Sequence, residues 1–180
     1  MAHTIAVLSS AFNPPTIGHK SILERLSFFD KVLVIPVQAD SRGRQFLDYD
    51  LRRSMLEVFV KDIDLPNVEV CAVEHEIDDA GGHVRTSDLI EHLSSLYPES
   101  EITFAIGPDK MKKFPSIRGN DDLLGRINIL VCAERSDVRS EFVREKAFRN
   151  VDISNDTTES VVQMITEKAL YDDMNDNWLV

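Results

Sequence analysis

Cysteine is scarce in this chain. Two cysteines in 180 residues cannot build a disulfide framework. Cys71 and Cys132 each sit in an apolar, strand-like run and read as buried, reduced thiols. No apolar stretch approaches the ~20 residues that a membrane span needs. The first apolar run, Ile5–Leu8, has no Lys or Arg ahead of it and is too short for a secretion signal. The expected location is therefore the cytoplasm. Positive charge is also short: 20 Lys plus Arg stand against 31 Asp plus Glu, a formal charge of -11. That balance argues against nucleic acid and anionic membranes as general partners, because both attract surplus positive charge. A small anionic ligand stays open if the few basic groups converge on one cleft. No Cys/His set has ligand spacing, so no metal site is assigned. The Gly-rich dinucleotide fingerprint and the Walker lysine are both missing.

The chain does hold enough apolar residues, 43%, to fold around a core. Its length suits one domain over 1–180, with 171–180 expected as a loose acidic tail. Short β-branched runs recur at Ile5–Leu8, Val32–Val37, Val68–Val73, Ile102–Ile106 and Ile127–Val131. They are nearly continuous rather than alternating, which suits strands covered on both faces. Helical periodicity fills the gaps at Ser21–Phe29, Leu51–Val60 and Ser87–Leu96, and again at Thr157–Leu170. The alternation predicts an α/β fold, Rossmann-like and doubly wound. Its mostly parallel sheet would have five or six strands, with helices on both faces. Ligands of such sheets bind beyond the carboxyl ends of the strands, near the switch in strand order.

The loop after the first strand carries the most information. Ser9-Ser10-Ala11-Phe12-Asn13-Pro14-Pro15-Thr16-Ile17-Gly18-His19 runs straight into a helix. Two prolines stiffen it, Gly18 permits close backbone approach, and His19 falls in the first helical turn. Backbone N–H groups and the helix dipole favour phosphate there, and an imidazole could donate to a developing phosphoryl anion.

This loop resembles the signature of the HxGH nucleotidyltransferases, approximately G-G-T/S-F-D/N-P-x-H/T-x-G-H. Phe12, Asn13, Pro14, Thr16, Gly18 and His19 fit. Ser9-Ser10 replaces the glycine pair, and Thr16 stands where many members have histidine. Four further stretches are similar to the nicotinate/nicotinamide mononucleotide adenylyltransferases, in the same order. They are Arg52-x-x-Met55-Leu56, Arg85–Leu93 at a helix start, Phe104–Asp109 at a strand end, and Val131–Arg135 after the fifth strand.

The resemblance implies adenylyl transfer from ATP, accompanied by Mg2+, to nicotinate or nicotinamide mononucleotide. His19 and Thr16 would be catalytic. Ser9, Ser10, Ala11, Phe12, Asn13, Gly18, Gly107, Asp109, Arg135, Ser154 and Thr157 would bind ATP. Arg42, Arg44, Arg52, Thr86 and Ile117 would bind the acceptor, with Ile117 in the place of a stacking tryptophan. The late S-T-x-x-R motif lacks its arginine, which falls on an apolar residue after Thr157-Thr158. Lys110, Lys112 and Lys113 read as a solvated face. The partners expected are ATP and a small phosphorylated acceptor, and a homo-oligomer is left open. Two other readings also stay open: another acceptor, phosphopantetheine or an alcohol phosphate, and a nucleotide-binding regulatory protein without turnover.

Overall fold

The computed structural model describes residues 3–40, 43–78, 80–113, 127–133 and 135–173. The expectations for Arg42, for Ile117 and for 174–180 lie outside these residues. The described strands are β1 (His3–Ser10), β2 (Lys31–Pro36), β3 (Val68–Val70), β4 (Ser100–Ile106) and β5 (Asn128–Val131). They form one five-stranded sheet in the order β3-β2-β1-β4-β5, and every pairing is parallel. The order reverses at β1, so the crevice between the carboxyl ends of β1 and β4 is the switch point.

Described helices are α1 (Ile17–Leu23), α2 (Tyr49–Ile63), α3 (Glu74–Ile77) and α4 (Thr86–Leu96), followed by α5 (Pro108–Lys113), α6 (Ser140–Phe148) and α7 (Glu159–Glu167). Side-chain alternation on the strands splits the core in two. Ala6, Leu8, Val32 and Val34 face Leu23, Met55, Phe59, Val143, Val161 and Ile165, so α1, α2, α6 and α7 share one face. Ile5, Val7, Leu33 and Ile35 face Leu89 and Leu93 of α4 on the other.

Several boundaries differ from the sequence expectation. β3 stops at Val70. Cys71 still donates its N–H to the Val34 carbonyl, and then the chain turns so that Val73 joins the α4-side core and Glu74 is buried. The first helix begins earlier, at Ile17, and tightens into a 3-10 turn at Glu24–Leu26. The last helix is shorter than Thr157–Leu170. Beyond it Leu170 and Tyr171 are buried, and Tyr171, placed in the tail by the sequence, is 4% exposed, whereas Asp172 and Asp173 are exposed. Both cysteines are free thiols; Cys132 is buried as expected, whereas Cys71 is only half-buried.

The N-terminus of α7 is occupied by the chain's own carboxylate. Asp62, near the end of α2, accepts from the Ser160 N–H at 3.0 Å and from the Ser160 hydroxyl at 2.8 Å. Negative charge there complements the helix dipole. Asp62→Ala should lower stability by about 1 kcal/mol, read as a shift in the urea unfolding midpoint. An unchanged midpoint would remove this cap from the account.

Candidate active site

The loop from Ala11 to Thr16 is held by side chains that arrive from far along the chain. Arg52 donates to the Ala11 carbonyl at 2.8 Å, and Arg144 to that of Asn13 at 2.7 Å. Ser140 donates to Pro14 at 2.7 Å, and Thr157 to Pro15 at 2.8 Å. The Asn13 amide oxygen accepts from the Tyr171 hydroxyl at 3.0 Å. Prolines offer no N–H for a sheet or helix ladder, so this loop's order has to come through its carbonyls. Phe12 anchors it from below, fully buried in the core with a left-handed φ of 47°.

Gly18 fits against the loop before α6 with no room to spare. A Cβ on it would lie 2.6 Å from the Val138 carbonyl oxygen. The close approach lets the Thr16 hydroxyl donate to that same carbonyl at 3.0 Å.

His19 is half-buried, and its tautomer follows from its neighbours. The Thr16 backbone N–H donates to Nδ1 at 3.1 Å, so in the neutral ring the proton sits on Nε2. Nε2 faces the Ser10 hydroxyl at 3.5 Å, beside the tip of β1. The ring leans on Phe12, with centroids 4.7 Å apart. Burial, reinforced by the Arg139 guanidinium, pushes its pKa down to about 4. At neutral pH the site therefore presents a fixed, uncharged N–H donor.

Beside it lies a cavity of about 350 Å³, lined by Pro108, Asp109, Ala133, Arg135, Asp137 and Arg139. Arg139 pairs with Asp109 at 3.1 Å and with Asp137 at 3.3 Å. Sequence reasoning missed Arg139, although it stands only four residues beyond Arg135. Gly107 opens α5 at the end of β4, its carbonyl accepting from Met111. Thr86 begins α4.

Several predicted residues do other work. The Thr16 hydroxyl is committed to Val138, so Thr16 positions His19 and has no proton left for a phosphate. Arg52 is 1% exposed, and its donors go to the Leu47, Ala11, Val37 and Gln38 carbonyls, so it braces the loops rather than meeting an acceptor. Arg44 is bound by Asp40 at 2.6 Å. Ser154 bonds Asp152 on the surface, and Thr157 is buried against Pro15, so neither lines the cavity. The Ala11 and Asn13 carbonyls are taken as described. Lys110 is exposed, as expected, and its ammonium donates to the Ser9 carbonyl at the β1 tip, at 3.1 Å.

A family model described as cytidylyltransferase-like matches residues 8–169. The chain belongs to the cytidylyltransferase-like family. A solved Vibrio parahaemolyticus structure, a candidate nicotinate-nucleotide adenylyltransferase, is 34% identical with a TM-score of 0.84, covering 96% of this chain and 97% of that one. A phosphopantetheine adenylyltransferase of Lachnoclostridium phytofermentans is 28% identical over 165 residues, which is 91% of this chain and 94% of that protein. A candidate nicotinate-nucleotide adenylyltransferase of Halalkalibacterium halodurans is 25% identical over 93% of this chain and 90% of that protein. The Plasmodium falciparum nicotinic acid mononucleotide adenylyltransferase complexed with NaAD shares the fold, with a TM-score of 0.78 at 14% identity over 94% of this chain and 98% of that one. In this family member the expected Rossmann-like architecture and the HxGH-type loop are both present, joined in one crevice.

Two outcomes follow from this geometry. Gly18→Ala should destabilise the fold by about 1–3 kcal/mol, as overpacking does, measured by urea denaturation; a loss below ~0.5 kcal/mol would contradict the close approach. His19 should show a proton on Nε2 by NMR and should not titrate between pH 5.5 and 8. Its folded pKa lies below the unfolded value of 6.5, so the unfolded chain binds the proton more readily. This group's contribution to stability is present above pH 6.5 and is lost as pH falls towards 4. Replacing His19 with Asn should flatten that part of the stability profile.

Proposed function

We propose that this protein transfers the adenylyl group of ATP to nicotinate mononucleotide, or to its nicotinamide form, releasing pyrophosphate. The observation that carries the reading is the neutral His19 Nε2–H, fixed at the β1/β4 switch point beside a cavity lined by Arg135 and Arg139. An acceptor phosphate oxygen attacks the α-phosphorus in line. The new P–O bond forms as the bond to the bridging oxygen breaks, and pyrophosphate leaves with that electron pair. The acceptor phosphate is ionised at neutral pH, so no general base is required. Nor does the reaction need a covalent protein intermediate.

Charge builds on the phosphoryl oxygens during the transfer. A donor already fixed in place stabilises it without reorganising, and guanidinium forks match phosphate geometry. The neutral ring also avoids the like-charge repulsion that an imidazolium would meet from Arg139. Mg2+ enters as part of the substrate, bound to ATP. Its ligands would be phosphate oxygens and waters, while Asp109 at the cavity wall is already paired with Arg139. Among the described residues no group of three or more His, Cys, Asp or Glu converges to hold it otherwise. Among the same residues no helix is long and apolar enough to cross a membrane, and the cytoplasm is the proposed setting.

The phosphopantetheine adenylyltransferase relative supports a second acceptor within the same chemistry. Pyrophosphate release should be followed with nicotinate mononucleotide, nicotinamide mononucleotide and phosphopantetheine in parallel. The pyridine mononucleotides should be preferred. His19→Ala should lower kcat by about 10²–10³-fold with little change in the circular dichroism spectrum. Binding of ATP without release on any acceptor would make the protein a nucleotide-binding homologue instead.

A further inference from the structure

α5 divides the crevice. Its residues Pro108 and Asp109 face the arginine-lined cavity above β4 and β5. Lys110 follows one step round the helix, about 100° away, and reaches the other way. Its ammonium meets the Ser9 carbonyl at 3.1 Å. Desolvation lowers its pKa, and the field of Glu74, the buried carboxylate that follows β3, acts against that shift. Glu74 is itself held by the Gln38 N–H at 2.7 Å, at the end of β2. Lys110 therefore stands at the tip of the central strand, between the half of the crevice with Arg135 and Arg139 and the half over β2 and β3. On its neighbour Ser10, across the same tip, sits the hydroxyl facing His19 Nε2.

A transfer between two phosphorylated substrates needs their phosphates to meet at one point, with their mutual repulsion offset by a cation. Two of the arginines expected to do this on the acceptor side are engaged elsewhere: Arg52 on four backbone carbonyls and Arg44 on Asp40. An ammonium has three N–H donors, and the Ser9 carbonyl takes one. We infer that Lys110 binds the attacking phosphate of the acceptor at the tip of β1, holding it in line with the α-phosphate that His19 addresses. This rests on the adenylyltransferase reading. Lys110 exchanges no proton in the step. It serves the acceptor's phosphate, whatever group that phosphate carries, so pyridine and pantetheine acceptors should depend on it alike.

The contact exists before and during transfer, so removing it weakens binding more than chemistry. For Lys110→Met the KM for nicotinate mononucleotide should rise about 10- to 100-fold, the usual weight of a charge-assisted hydrogen bond. The value of kcat should stay within about threefold, and the KM for ATP should hardly move. Lys110→Arg should recover most of the affinity. Calorimetric titration of the acceptor alone into wild type and Lys110→Met supplies a reading independent of turnover. Equal acceptor affinity in the two proteins overturns the inference, as does a loss shared equally with ATP, which would mark a purely structural lysine. Wild-type protein that binds the acceptor through Lys110 yet releases no pyrophosphate overturns the adenylyltransferase reading, and with it the in-line role, and leaves Lys110 only as a phosphate ligand.

Discussion

The site depends on how a proline-bearing loop is held without backbone partners of its own. The carbonyls of Ala11, Asn13, Pro14 and Pro15 are taken by Arg52, Arg144, Ser140 and Thr157 in turn. Those donors come from α2, α6 and the turn before α7. The loop's conformation is thus a property of the packed domain, because every clamp has to be in position before the loop is. Two arginines are buried in this service. Burying a guanidinium is costly unless its donors are satisfied, and the chain of backbone carbonyls satisfies them.

The same loop sets the state of His19. Thr16 sits at the start of α1, where its N–H would otherwise be one of the unpaired donors of a helix N-terminus. By giving that N–H to Nδ1 it directs the imidazole proton to Nε2, out towards the Ser10 hydroxyl. Gly18 makes the arrangement compact, because only a residue without Cβ lets the Val138 carbonyl come close enough to receive the Thr16 hydroxyl. Helix start, tautomer and cavity wall are therefore one construction. The threonine that replaces a histidine in the family's motif keeps a role in it, through its backbone and through Val138.

Much of this was legible in the residues. The five β-branched runs are β1 to β5, because strands covered on both faces must be apolar throughout. β3 alone is markedly shorter, since Val73 finds a core on the α4 side and Glu74 a hydrogen bond from Gln38. The Ser9–His19 loop announced itself by composition: Pro, Pro and Gly before a helix leave few conformations. Destinations of long polar side chains were not legible. Arg52 and Arg139 look alike in sequence, yet one is walled in by carbonyls and the other lines the cavity. Ser154 and Thr157 carry the hydroxyls expected at a triphosphate, but a neighbouring Asp152 and the distant Pro15 carbonyl claim them. Asp62, ninety-eight residues before Ser160, gave no signal at all that it would cap α7.

Local chemistry, then, settled what each segment could become: strand where apolar β-branched residues run on, loop where proline removes donors, a donor-bearing ring in the first turn of α1. Which face of the crevice each charge would serve was decided only on folding. A lysine or arginine carries its charge at the end of a long flexible stem, and its choice of partner is made by whichever carbonyl or carboxylate the rest of the chain brings within that reach.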